Sequence, residues 1–132
     1  MLCPPLGIEA ICAYFTYRKV AVRLAEAGLA VLRVDYDGTG DSFGDSTEPN
    51  RVASWTDSVG SAIDTLEQIG VDRVALLGMR VGALLAALAA ARRERIDALV
   101  LWDPCLTGSS FVREQQALSG SSKIWEHLCP GV

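Results

Sequence analysis

Arg80 is the residue whose neighbours most constrain the chemistry open to this chain. It stands in the middle of GMRVG, with Gly78 two positions before it and Gly82 two after. Buried-type aliphatic residues precede this pentapeptide and helix formers follow it, which predicts a strand over 74–77, a helix over 81–92 and a sharp reversal across 78–82. Glycines suit such a turn because the absence of a Cβ lets two backbones approach closely. A guanidinium stays protonated at physiological pH and offers no lone pair for attack, so Arg80 cannot form an acyl intermediate. It can hold anions: a planar fork beside the orphan amides of a helix start suits a carboxylate, phosphate or sulfate. The competing reading, and the favoured one, is an internal ion pair, because the helix dipole disfavours a cation at that end. Asp103 is the expected partner, since adjacent parallel strands lie about 4.8 Å apart and both residues fall at carboxyl ends. Asp37 is the second choice.

Other candidates read more plainly. Cys105 lacks any histidine in the segments expected nearby, so it is expected to be a buried, inert thiol and not a nucleophile. Asp35, Asp37 and Asp41 share a Gly-rich stretch with Ser42, where aspartate usually bonds its own backbone; no metal is expected. The G-x-G of this stretch does not make a dinucleotide fingerprint, because Gly44 falls one position late and Asp41 and Asp45 would repel a pyrophosphate. Cys3, Cys12, Cys105 and Cys129 show no C-x-x-C spacing and His127 is the single histidine, so reduced structural thiols and no cofactor are expected. Trp55, Trp102 and Trp125 read as core or interface anchors.

Length and composition bound the rest. With 132 residues, half of them hydrophobic, the chain can bury one core. A net charge of -4 without a basic block argues against nucleic acid or an anionic membrane as partner. No secretory signal pattern opens the chain and no apolar run is long enough to span a bilayer, so a cytoplasmic location is expected.

The elements that must position these residues alternate. Residues 1–3 predict a strand end stopped by Pro4 and Pro5, 6–13 a loop, and 14–27 a helix stopped by Gly28. A strand buried on both faces is predicted over 29–36, a loop over 35–46, and a helix over 55–69 capped by Ser54. Residues 98–102 predict another short buried strand, 110–118 a helix capped by Ser109, and 119–132 carries no period. Alternation at this spacing implies an α/β, doubly wound parallel sheet, with ligand chemistry at the carboxyl ends of the strands.

Two motifs then carry a family resemblance. The spacing of Gly78 to Gly82 matches the nucleophile elbow G-x-S-x-G, with Arg80 in place of the serine. DYDGTGDS, from Asp35 to Ser42, is similar to the D-x-x-G-x-G-x-S loop that many α/β-hydrolases carry after their fourth strand. With the PPLG loop and the helix order, the chain resembles the N-terminal half of an α/β-hydrolase of the serine esterase and peptidase type, over about residues 1–106. A narrower similarity is to bacterial α/β-hydrolases encoded near exosortase and exopolysaccharide systems, some of which show an arginine at this position.

The resemblance implies a partial α/β-hydrolase fold: an incomplete core over 1–106, and the start of a cap region or an irregular tail over 107–132. It implies an ester, thioester or amide hydrolase family and an oxyanion or anion site built from Leu6, Gly7, Met79, Arg80 and Val81, with main-chain donors at Val81 and near Leu6 or Gly7. Asp35, Gly38, Gly40, Ser42, Gly78 and Gly82 would be structural loop residues. Asp103 occupies the place where a minority of members put their acid, whereas His127 matches no catalytic position. Serine-hydrolase turnover is therefore not expected of this chain alone; the alternative is a non-catalytic anion-binding or protein-interaction module. The expected partners are a small acyl or anionic ligand and either a second copy or a completing chain, because a three-residue first strand leaves a gap in the sheet. Truncation at both ends is the other expectation from that gap.

Overall fold

The computed structural model describes residues 1–44 and 49–119. Its elements run β1 (Leu2–Cys3), α1 (Ile8–Glu26), α2 (Arg51–Gln68), β2 (Ala75–Met79), α3 (Val81–Ala90), β3 (Ala98–Trp102) and α4 (Gly108–Ser119). The strands form one parallel sheet in the order β1-β2-β3, with Leu77 of β2 opposite Leu2 on one side and Val100 on the other.

Successive side chains of a strand point to opposite faces, and β2 uses both. Leu76 packs with Val59, Ile63 and Leu66 of α2 and with Val81, Leu85 and Ala86 of α3. Leu77 and Met79 pack on the other side, with Ala13 and Tyr17 of α1. Helices cover both faces of a parallel sheet, so the expected doubly wound α/β architecture is the one found.

Four local expectations are corrected. The stretch 29–36 is not a strand: it makes one bridge, Leu2 to Arg33, with the Leu2 amide donating to the Leu32 carbonyl at 2.8 Å. Its neighbour β1 is two residues long and offers little ladder to extend. The bridge nevertheless places β1 between this stretch and β2. Helix α1 begins six residues early, at Ile8, because Gly7 takes a positive φ of 63° and starts it. Helix α2 begins at Arg51 behind Asn50, and the Ser54 hydroxyl donates to Asp37 Oδ2 at 2.6 Å instead of capping. In α4 the Ser110 amide donates to Thr107 Oγ1 at 3.2 Å, so Thr107, not Ser109, supplies the capping oxygen.

The fifth correction concerns β3. It has the expected bounds, but Leu99, Val100, Leu101 and Trp102 are 39–50% exposed. Among the described residues nothing pairs with its outer edge, so an aliphatic run that reads as buried lies open.

Candidate functional site

The reversal between β2 and α3 is as tight as the glycine spacing required. A Cβ on Gly78 would stand 2.5 Å from the Ala83 Cα and the Gly82 oxygen, and one on Gly82 would strike the carbonyl oxygens of Cys3 and Pro4. Both clashes are with backbone, which cannot give way cheaply, so any side chain at either position would open the turn. Between them Arg80 takes φ 55° and ψ -122°, a conformation an L-residue adopts only at a cost. The turn is held from both sides of the peptide: the Arg80 amide donates to the Trp102 carbonyl at 3.0 Å, and the Cys105 amide donates to the Arg80 carbonyl at 3.2 Å.

Each nitrogen of the Arg80 guanidinium meets a carboxylate. Nε donates to Glu9 Oε1 at 2.8 Å, Nη1 to Asp103 Oδ2 at 3.1 Å, and Nη2 to Glu114. Asp103 is thus a partner, as read from the sequence; Asp37 is not, being engaged by Arg51 Nη2 at 3.0 Å and by Ser54. Arg80 and Glu9 are each less than a fifth exposed, whereas Asp103 is 72% and Glu114 44% exposed. The hydrogen bond to Glu9 is the main reason the guanidinium holds its proton even more firmly than usual. Glu9 and Glu114 escaped the sequence reading because one lay in a presumed loop and the other 34 residues downstream on a separate helix. The usable signal for Glu9 was its position two residues after Gly7, in the first turn of a helix, where an acid is favoured.

The other expected site residues lie around this turn. Val81 is buried at the head of α3, where the first amides have no intrahelical partner. Met79 ends β2 and leans toward α1. Leu6 is buried, and the Gln115 side chain of α4 rests against Gly7, where a Cβ would meet Oε1 at 2.6 Å. Because Gly82 touches Cys3 and Pro4, the loop after β1 and the turn before α3 adjoin directly. Two buried tyrosines hold that loop: Tyr36 donates to the Pro4 carbonyl at 2.8 Å and Tyr17 to the Cys3 carbonyl at 3.1 Å, and burial pushes both phenols upward.

The 35–44 stretch is closed by its own polar groups. Thr39 Oγ1 donates to the Tyr36 carbonyl at 2.7 Å, Ser42 Oγ to the Asp35 carbonyl at 3.0 Å, and the Gly38 amide to the Phe43 carbonyl at 2.9 Å. Gly38 and Gly40 have positive φ, and a Cβ on Gly40 would collide with the Asp35 carboxylate. Asp35, Asp37 and Asp41 do not converge; among the described residues no group of three metal-ligating side chains does.

Cys105 is 4% exposed and burial raises its thiol, which makes it a poor nucleophile. Cys3 is likewise a buried free thiol, pushed up to about 12 by burial, but Cys12 is disulfide-bonded, against the expectation of reduced cysteines throughout. A cavity of about 730 Å³ opens between α1 and the 33–41 stretch, lined by Tyr14, Phe15 and Arg33 among others. It reaches Leu6 and Gly7 but neither Arg80 nor Val81, so it is separate from the turn. His127 and Trp125 lie outside the described residues. Among the described residues no helix is long and apolar enough to cross a membrane.

No curated protein and no solved structure matches the chain. The family model for serine aminopeptidase S33, a hydrolase family, matches residues 13–132. A strained residue between two sterically required glycines at the end of a parallel strand is the geometry that the nucleophile elbow of α/β-hydrolases describes. The parallel sheet with helices on both faces is accordingly a partial α/β-hydrolase domain, and the chain belongs to the serine aminopeptidase S33 family.

Proposed function

We propose that this chain is a non-catalytic member of its family, a binding or interaction module that keeps the elbow and the amides around it but does not run serine-hydrolase chemistry. One observation carries the reading: the elbow position holds Arg80 in the strained conformation of a nucleophile, with its side chain tied to three carboxylates. Such a group neither attacks a carbonyl nor deprotonates. The same ties argue against a vacant anion clamp, since the fork already holds the protein's own acids. The narrower similarity to exosortase-associated hydrolases with an arginine elbow agrees with this proposal.

The test is labelling by a serine-directed phosphonate together with p-nitrophenyl acetate hydrolysis. No label and no turnover above background are expected for the wild type, and Arg80→Ser is expected to stay inactive. Hydrolysis that disappears in Arg80→Ala would overturn the proposal. A second reading, a hydrolase completed by another chain, is favoured by the open edge of β3, which could accept a further strand. Esterase activity gained in Arg80→Ser would favour that reading.

A further inference from the structure

The cavity between α1 and the 33–41 stretch, about 730 Å³, is of a size that suits a small ligand and lies apart from the elbow. Buried Leu2, Pro5 and Leu6 make its floor apolar, and the exposed rings of Tyr14 and Phe15 line its α1 side. The deep hydroxyls around it are already spent: Tyr17, Tyr36 and Thr39 each donate to a backbone carbonyl. An apolar body can therefore rest there without leaving a buried donor unpaired.

The charged groups around the cavity are not spent. Leu32 and Val34 pack on the main core, so alternation along this extended stretch turns Arg33 and Asp35 to the α1 side, where both line the cavity. Opposite charges two residues apart on one face could pair, and these do not. Arg33 lies over the Tyr14 ring, 5.1 Å from its centroid, and meets no carboxylate among the described residues. Asp35 turns the other way, to the loop, where Oδ2 accepts the Asp41 amide in a long bond of 3.4 Å. The Asp41 carboxylate, also on the cavity, has no hydrogen bond or ion pair among the described residues. The mouth thus carries a cationic pole against α1 and an anionic pole on the loop, above one apolar floor. The two acids disfavour a simple anion and the arginine disfavours a simple cation, whereas a ligand with both charges meets both poles.

We propose that this cavity binds a small zwitterion with an apolar body, an apolar amino acid or a short apolar peptide, with its carboxylate on Arg33 and its ammonium on Asp35 and Asp41. The cavity does not touch Arg80, so the site stands whether or not the elbow is catalytic, and the phosphonate labelling above does not bear on it.

Heteronuclear NMR titration of the full 132-residue chain tests it with four probes: phenylalanine, 3-phenylpropionate, which lacks the ammonium, phenethylamine, which lacks the carboxylate, and glycine, which lacks the apolar body. Phenylalanine should shift the amides of Tyr14, Phe15 and residues 39–41 and bind about tenfold tighter than either truncated probe, the size expected for one charge-assisted contact at an exposed rim. Glycine should not bind. Arg33→Gln should weaken phenylalanine about tenfold and leave phenethylamine unchanged, and Asp41→Asn should weaken phenylalanine and leave phenylpropionate unchanged or tighter. Arg18→Gln, on exposed α1 surface outside the cavity, should bind as the wild type does. Phenylalanyl-phenylalanine separates the two ligand sources: tighter binding than phenylalanine marks a peptide, weaker binding a free amino acid, and either supports the site. Phenylpropionate or phenethylamine binding as tightly as phenylalanine would overturn the proposal. So would the absence of shifts with every probe, shifts confined to Val81 and its neighbours, or an equal loss in Arg18→Gln.

Discussion

Two arginines, Arg51 and Arg80, each meet an aspartate beside the start of a helix, and they solve the same electrostatic problem differently. Around Arg51 the aspartate is saturated: Asp37 takes Arg51 and Ser54 on its carboxylate, Trp55 Nε1 donates to its carbonyl at 3.0 Å, and its amide donates to Ser58 Oγ at 3.1 Å. Arg51 is 12% exposed, and the contacts stitch the Gly-rich loop to α2. Around Arg80 the arginine is saturated, by three acids from three elements, two of which remain in solvent. The first cluster is a clasp that serves the loop. The second is a junction, in which one side chain registers the position of several elements.

The comparison can be sharpened by separating both clusters from the neutral core, where the largest effect is expected. Burial pushes the Cys3 thiol from its ordinary 9.0 to about 12, so the folded chain favours the protonated form. The unfolded chain loses that proton first; the stability is complete below about pH 9 and declines as pH rises toward 12. Urea midpoints taken from pH 8 upward should fall, and fall less steeply in Cys3→Ala. An unchanged slope in that variant would move the effect onto Tyr17 and Tyr36.

Next in size, Asp37→Ala should cost about 2 kcal/mol in urea denaturation, because it removes one carboxylate partner from a mostly buried guanidinium and the acceptor from Ser54. Smaller still, Glu9→Gln should cost about 1 kcal/mol, since the amide keeps one acceptor but loses the charge. Asp103→Asn, on the most exposed of the partners, should cost under about 0.5 kcal/mol. If Asp103→Asn proved as costly as Asp37→Ala, the contrast between clasp and junction would be wrong.

How far these features were legible in the sequence follows from the range of the interactions involved. The elbow was readable because its requirement is local: two glycines, an aliphatic run and a helix former within fifteen residues of one another. The Arg80–Asp103 pair was readable because neighbouring parallel strands put their carboxyl ends side by side. Glu9 was hidden by a misplaced helix start, since the Gly7 conformation that launches α1 leaves no side-chain capping signal. Strand β3 shows the limit of pattern: ALVLW reads as interior, but burial depends on what lies beyond the edge, which the five residues do not encode. The stretch 29–36 failed for a related reason, because a ladder needs a partner of equal length and β1 supplies two residues.

One contact described above has a wider consequence. Gly82 rests directly on the peptide oxygens of residues 3 and 4, so the separation between the head of α3 and the opening loop is set by main chain against main chain. Tyr17 and Tyr36 hold those two oxygens from the other side, and the identity of residue 80 does not enter the spacing. The scaffold of the corner can therefore carry a different side chain at position 80 without being rebuilt.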